Sequence, residues 1–232
     1  MNIVARKEKK FLITIQEAKK QEAIVNKVMA YDKNAGRDGY IVRSLYFDTL
    51  NDKDYEDKQA GIETRRKIRL RNYGPNTDFA ILEIKQKQGD NQLKRSLRLK
   101  KEDAVKLVNR DYSCLLRYKE PFAAECYALM NMCCYKPKAI VQYNRKPFVA
   151  KENKIRVTFD SNLVGTESSF DIFDSNLKMY PLLDIDKVVL EVKYNGFLLS
   201  YIKDILDNVQ HLETSVSKYC LARMISKKYV FL

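Results

Sequence analysis

Histidine occurs once in 232 residues, as His211. A histidine metal cluster is therefore excluded, and any Ser/His or Cys/His nucleophilic centre would have to be built on that one side chain. Glycine is scarce at seven, and none falls in a GxxxxGK or GxGxxG array in which bare backbone amides cradle a phosphate. Any phosphate bound here must be held by side chains. The five cysteines, Cys114, Cys126, Cys133, Cys134 and Cys220, are odd in number and have no CxxC spacing, so they read as reduced core residues. No apolar run approaches the roughly 18 residues of a membrane span, and MNIVARKEKKF lacks the apolar stretch of a secretory leader. A soluble, cytoplasmic protein is expected. No linker rich in Gly, Ser or Pro and no fixed-period repeat divides the chain, which predicts one domain over residues 1–232.

What is present is positive charge on a chain with enough apolar residues, 45%, to bury a core. Lys and Arg number 43 against 30 Asp and Glu, a net charge of +13 that calls for an acidic partner: a membrane surface, phosphate or nucleic acid. The elements alternate. A strand is expected over Arg6 to Ile13, then a helix from Thr14, whose spacing to Glu17 is that of a capping box, to about Ala30, with Ala18, Val25, Val28 and Met29 on one face. The segment YIVRSLYFDT from Tyr40 reads as a strand and NDKDYEDK after it as a short helix or turn. Strands follow near 62–72, 78–88 and 92–100, then helical segments KEDAVKLVN, SCLLRY and PFAAECYALMNMCCY, the last opening on Pro121. Further strands are predicted at Ala139 to Val149, Lys154 to Asp160 and Lys187 to Tyr194, and helices at about Leu199 to Val209 and from about Ser215.

Several of these strands carry one sign of charge on one face. Alternate positions read Arg65, Lys67, Arg69, Arg71 opposite Ile68 and Leu70; then Glu83, Lys85, Lys87 opposite Ala80, Leu82 and Ile84; then Lys94, Ser96, Arg98 opposite Leu93, Leu97 and Leu99. Later strands place Tyr143 with Arg145, Lys154 with Arg156, Thr158 and Asp160, and Glu191 with Lys193. Between residues 62 and 101 there are 12 Lys and Arg against 4 Asp and Glu. An ordinary solvated sheet face mixes signs, because like charges on neighbouring strands cost up to about 1 kcal/mol a pair. The expected fold class is α+β: a closed antiparallel β-barrel of about eight strands forming a tunnel, cations inward, helices packed outside, the repulsion relieved by a bound polyanion. On that view replacing Arg71 or Arg145 by Ala relieves repulsion and leaves the fold intact while removing activity. Two carboxylates break the pattern, Glu83 and Glu191, each two residues before a lysine. Mg²⁺ or Mn²⁺ takes one or two protein carboxylates and shares phosphate oxygens, so Glu191 is the leading metal candidate, with Glu83 and Glu8 possible; the alternative for each is a structural salt bridge.

The pieces Arg6-x-Glu8-x-Lys10-Phe11, SLYFDT (44–49), IRLRNYG (68–74), LEIKQK (82–87), Tyr143-Asn144-Arg145, Arg156-x-x-x-Asp160, LEVKYN (190–195) and Ser217-Lys218-Tyr219 occur in one order along nearly the whole chain. Together they resemble the catalytic domain of the vacuolar transporter chaperone (VTC) type, a polyphosphate polymerase among the triphosphate tunnel metalloenzymes. The resemblance implies a tunnel that binds a nucleoside triphosphate and a divalent metal, Mn²⁺ or Mg²⁺. It implies that Lys10, Arg69, Arg71, Lys85, Lys94, Arg145, Arg156 and Lys218 contact phosphate, that Tyr143 and Ser217 add hydroxyl contacts, and that Glu191 holds the metal. Arg95 neighbours Lys94; strand alternation selects Lys94. Related triphosphatases and cyclases begin Glu-x-Glu-x-Lys, whereas Arg6 stands at the first position here, which points to the polymerase branch and leaves Glu8 as an outer ligand. The regulatory and membrane segments of eukaryotic members are not expected, and the resemblance then implies docking on a separate membrane protein.

The implied reaction moves the γ-phosphoryl group of ATP to a growing inorganic polyphosphate chain. Such a transfer passes through a loose transition state and rests on positioning and charge stabilisation, which suits a site without histidine. The acceptor phosphate is already ionised and needs no general base. Two rivals remain at this stage. One is a tripolyphosphatase or nucleoside triphosphatase of the same fold, in which Glu8 or Glu83 orients water. The other is a non-catalytic polyanion- or RNA-binding module; nucleic acid is not expected, because Arg69, Arg71 and Lys85 have no aromatic partners on their own strand faces, although Tyr40 and Tyr46 share a face of another strand and could still serve.

Overall fold

The structure, a computed structural model, describes residues 6–89, 91–207, 209 and 213–226; His211 lies outside them. Its strands are β1 (Arg6–Thr14), β2 (Ala30–Tyr31), β3 (Tyr40–Asp48), β4 (Arg65–Asn72), β5 (Phe79–Gln88), β6 (Asn91–Lys100), β7 (Lys136–Val149), β8 (Arg156–Thr166), β9 (Tyr180–Pro181) and β10 (Lys187–Asn195). Its helices are α1 (Ile15–Val28), α2 (Lys53–Gln59), α3 (Lys101–Val108), α4 (Pro121–Met132), α5 (Ser200–Asp207) and α6 (Lys218–Arg223). Two compact units are each assembled from separated stretches: residues 1–41, 143–163 and 183–217 in the first, and 42–142, 164–182 and 218–232 in the second.

In the first unit β1 pairs antiparallel with β10, and β10 with β8. Phe11 and Ile13 of β1, Leu190 and Val192 of β10, and Val157 and Phe159 of β8 all fall on one face by strand alternation, and that face carries the apolar core under α1 and α5. The start of α1 is set as its sequence predicts: Thr14 N–H donates to Glu17 Oε2 at 2.7 Å and Glu17 N–H to Thr14 Oγ1 at 3.2 Å, a complete capping box. Ala18, Val25 and Met29 are buried, but Val28 is exposed, because the helix ends at it and the chain turns away into β2. Gly39, at φ +75°, lies so near β7 that a Cβ would meet Arg145 O at 2.3 Å. Only glycine fits there, both for the backbone angle and for the space.

In the second unit β3, β4, β5 and β6 form a consecutive antiparallel meander. Their apolar face, with Leu45, Phe47, Ile68, Leu70, Leu82, Ile84, Leu97 and Leu99, packs with α3 and α4 around Leu107, Leu115, Cys126 and Met130. Pro121 occupies the first turn of α4, where its missing N–H costs nothing. Cys114, Cys126 and Cys220 are buried, and burial pushes the first two thiols up to about 11 and about 12, so they are inert packing residues. Cys134 departs from that expectation: it is exposed, in a left-handed turn at φ 50° after α4.

The hydrogen-bonded strand order is β1-β10-β8-β7-β3-β4-β5-β6, with β2 added on β7 and β9 on β8. Among the described residues the pairing expected of a closed barrel is not found: the order has two ends, β1 and β6. The outer edge of β1 is taken by a later stretch of chain, where Thr214 N–H donates to Lys10 O at 2.8 Å and Glu213 bridges Phe11. Lys154 also departs from expectation, lying in a 3₁₀ turn (Glu152–Lys154) at φ 48° ahead of β8 instead of on the strand's charged face.

Candidate functional site

Cross-strand register turns the alternation of the second unit into ordered rows. Tyr46, Arg69, Glu83 and Ser96 lie opposite one another on β3 to β6, and beside them Lys67, Lys85 and Lys94 form a row of three lysines. Glu83 is the buried acidic centre: Arg69 Nε donates to its Oε2 at 2.5 Å, Arg71 Nη2 stands 3.5 Å from the same oxygen, and Lys94 Nζ bonds Oε1. Burial alone would raise the Glu83 pKa, but Arg69, Arg71 and Lys94 together pull it to about 2. Tyr46, which burial would also raise, is held below the usual phenol value chiefly by Arg69 and Lys67. Arg95 points elsewhere, to Glu125 and Gln86, so Lys94 is the member of that pair on the charged face.

Two buried polar atoms on this face have no hydrogen-bond partner: Arg71 Nε and Ser44 Oγ, on residues directly opposite each other across β3 and β4. An orphaned buried donor costs about 1–3 kcal/mol, so this spot is suited to an anionic oxygen. The SLYFDT segment has a physical role that its residue types alone did not disclose. Ser44 stands beside Arg71, Tyr46 beside Arg69, and Asp48 anchors other elements: it accepts the N–H groups of Asp54 and Tyr55, each at 2.9 Å, and the Tyr219 hydroxyl at 2.5 Å. Tyr219 also stacks on Tyr46 at 5.0 Å, which fixes α6 and with it Lys218, the first residue of that helix.

The first unit carries a different pattern, alternating in sign. Glu8 of β1 lies opposite Lys193 of β10, and Lys10 opposite Glu191. Lys10 Nζ is 2.8 Å from Glu8 Oε1 and donates to Val216 O at 3.4 Å, next to Ser217. Lys193 Nζ bonds Glu191 Oε1 and lies 3.8 Å from Glu8 Oε2. Arg145 reaches in from β7 and forks onto the fully buried Asp160 with two 2.7 Å bonds, leaving Nη2 at 3.4 Å from Glu191 Oε2 and its guanidinium 5.2 Å above the Tyr143 ring. Burial disfavours the charge on Arg145, yet Asp160, Tyr143 and Glu191 hold its pKa well above the usual value. Lys193 goes the other way, burial lowering it against Glu191 and Glu8. Arg156 pairs with Asp32 at 3.0 Å and donates to Tyr40 OH at 3.3 Å.

Of the residues singled out from sequence, Lys10, Tyr143, Arg145, Arg156, Glu8, Glu191 and Ser217 belong to the first unit, and Arg69, Arg71, Lys85, Lys94, Glu83 and Lys218 to the second. Arg145 is not a cation among cations but the partner of two carboxylates, so the expectation that its removal relieves repulsion fails. Sequence reasoning placed Asp160 and Lys193 on the charged strand faces and quoted Ser44 within SLYFDT without giving any of the three a role, and it did not single out Asp32, which carries no such signal.

Among the described residues no three His, Cys, Asp or Glu side chains gather as a protein cage for a metal. Mg²⁺ and Mn²⁺ do not need one, since they take one or two carboxylates and fill their other positions from water and phosphate. Glu8 and Glu191 suit that: both approach a single point now filled by the ammonium of Lys193, a cation standing where a cation is wanted. Glu83 differs in its surroundings, being held by three cations, Arg69, Arg71 and Lys94. Among the described residues no helix is long and apolar enough to cross a membrane.

Comparison with known proteins agrees with this architecture. A structure of a candidate adenylate cyclase from Bacillus halodurans has the same fold, with a TM-score of 0.54 and 13% identity over 93% of this chain and 94% of that one. The protein PH1819 from Pyrococcus horikoshii is similar at a TM-score of 0.48 and 11% identity over 97% and 99% of the two chains. No curated protein matches the sequence significantly. The family model of the VTC domain matches residues 5–226, and the chain belongs to the VTC domain family.

Proposed function

We propose that this chain is a metal-dependent phosphotransferase acting on triphosphates, and specifically that it transfers the γ-phosphoryl group of ATP to inorganic polyphosphate. The observation that carries the reading is the orphaned pair of Arg71 Nε and Ser44 Oγ, buried on a strand face dominated by cations. A face that binds phosphate leaves such donors for the ligand. Membership of the VTC domain family supports the same class of substrate. The proposed phosphate contacts are Lys10, Arg69, Arg71, Lys85, Lys94, Arg145, Arg156 and Lys218, with Tyr143 and Ser217 as hydroxyl contacts.

Arginines fork onto non-bridging oxygens and lysines act as mobile point charges, which suits them to hold phosphates and to offset the charge that spreads over a transferring group. Glu191 with Glu8 would hold the divalent ion, which when bound neutralises phosphate oxygens and orients them. Transfer to a phosphate is favoured over transfer to water by the state of the carboxylates. Glu83, with a pKa of about 2, is too weak a base to activate water at neutral pH, and Glu8 is tied to Lys10.

The test is to incubate the purified chain with ATP and Mn²⁺ or Mg²⁺ and to resolve the products by size. Long phosphate chains are expected. Release of orthophosphate alone would replace the polymerase reading with hydrolysis, and failure to bind tripolyphosphate at all would remove the triphosphate reading.

A further inference from the structure

Lys193 lies outside the set of phosphate contacts argued above, yet its ammonium occupies the position on which both candidate metal carboxylates converge. Its place follows from register. Glu8 and Lys193 are opposite one another, as are Lys10 and Glu191, so the four charges form a two-by-two square of alternating sign on the face of β1 and β10 that is turned away from the apolar core. Lys193 Nζ bonds Glu191 Oε1 and is 3.8 Å from Glu8 Oε2. On its other side stand cations: Arg156 is its partner across β10 and β8, and Arg145 contacts Glu191 at 3.4 Å.

We propose that Lys193 is a resident counter-cation that competes with a divalent metal ion for Glu8 and Glu191, so that the metal enters only when a triphosphate draws the ammonium away. The proposal rests on the reading of Glu8 and Glu191 as the metal's carboxylates. An ammonium and a divalent cation cannot share those two carboxylates, because at such separations their repulsion opposes whatever attraction each gains. A lysine is suited to the exchange: it is a compact charge on a flexible four-carbon stem, able to move from carboxylate to phosphate oxygens without rebuilding a fork of hydrogen bonds. A triphosphate offers such oxygens, and as Lys193 turns to them the carboxylates are left to the metal. By reciprocity the metal then strengthens triphosphate binding by the factor by which triphosphate strengthens metal binding, usually about 5- to 150-fold for coupled ligands.

The test is Mn²⁺ binding without nucleotide, read from the loss of the free-ion electron paramagnetic resonance signal. Wild type is compared with Lys193→Met and Lys193→Gln, two neutral replacements so that poor folding of one does not end the experiment. Both are expected to bind Mn²⁺ on the order of tenfold or more tightly than wild type, and adding Glu191→Gln to either should abolish the gain. Unchanged Mn²⁺ affinity in folded Lys193 variants overturns the competition, and so does a gain that survives Glu191→Gln. Tripolyphosphate binding by wild type in the absence of metal is measured alongside. Its loss would count against the triphosphate reading, whereas a missing Mn²⁺ gain beside intact tripolyphosphate binding counts against Lys193 alone.

Discussion

Arg71 and Arg145 look alike in the sequence, each an alternate-position arginine on a charged strand, and differ in what removing them would do. Arg145 is doubly bonded to the fully buried Asp160 and touches Glu191, so Arg145→Ala removes the fork that holds the buried Asp160, while Glu191 keeps Lys193. Breaking a buried pair in this way costs about 3–5 kcal/mol, and chemical denaturation should show a loss of that size. Arg71 makes one long contact to Glu83, which keeps Arg69 and Lys94, and its Nε has no partner. Arg71→Ala should therefore change stability by less than about 1 kcal/mol and weaken tripolyphosphate binding by roughly tenfold to a hundredfold, the worth of a hydrogen bond to a charged group. Calorimetric titration beside urea unfolding separates the two; an Arg71→Ala protein as unstable as the Arg145 variant would show that Arg71 is structural. Alternation was enough to say which residues share a face. It could not say which carboxylate a given arginine meets, because that depends on strand register: Glu83 gathers partners from β4 and β6 only once Arg69, Glu83 and Ser96 are brought into line.

Elements with local signals were legible from the chain. The Thr14–Glu17 capping box, the Pro121 start of α4 and the two-residue alternation of β4 to β6 all act over a few residues, and the structure has each of them. The two-residue strands β2 and β9 have no such signal and exist because β7 and β8 offer them partners. The same holds for the contact of Glu213 and Thr214, from far along the chain, with Phe11 and Lys10 of β1, which no local signal announces. At the start of α2 tertiary placement has a measurable consequence. Asp54 is buried beside Asp48 and accepts the Tyr135 hydroxyl at 3.0 Å; burial first, then Asp48, raises its pKa to about 7. A carboxyl that stays protonated in the folded chain while ionising near 3.8 in the unfolded one makes stability fall as pH rises between those two values. The slope is about 1.4 kcal/mol per pH unit at most, and the loss is complete above about pH 7. Urea unfolding at about pH 5 and about pH 8 should show wild type losing stability and Asp54→Asn losing much less. Identical losses in both proteins would mean that Asp54 does not titrate in this window.

At the scale of the whole chain the net charge of +13 acts on two properties in opposite directions. The carboxylates nearest the cationic faces are already committed, Glu83 to three cations and Glu191 to Lys193 and Arg145, so the remaining excess is like charge repelling like charge. Screening shortens the reach of that repulsion to about 8 Å at physiological ionic strength, so adding salt should raise the melting temperature of the ligand-free protein. The same screening weakens polyanion binding, because each phosphate neutralised by Lys or Arg releases condensed counterions and steepens the dependence of affinity on salt. The length of the charged face decides how steep. Arg65 to Arg71 spans six residue steps, roughly 20 Å of strand, and Lys87, Lys85 and Lys94 continue the charge on β5 and β6. Tripolyphosphate can engage only part of such a face, whereas a long polyphosphate can engage all of it. Measured between about 0.05 and about 0.5 M salt, the slope of log affinity against log salt should be steeper for the long chain than for tripolyphosphate. Equal slopes would mean that both ligands meet the same few cations, and that the outer residues Arg65 and Lys87 take no part in holding the polymer.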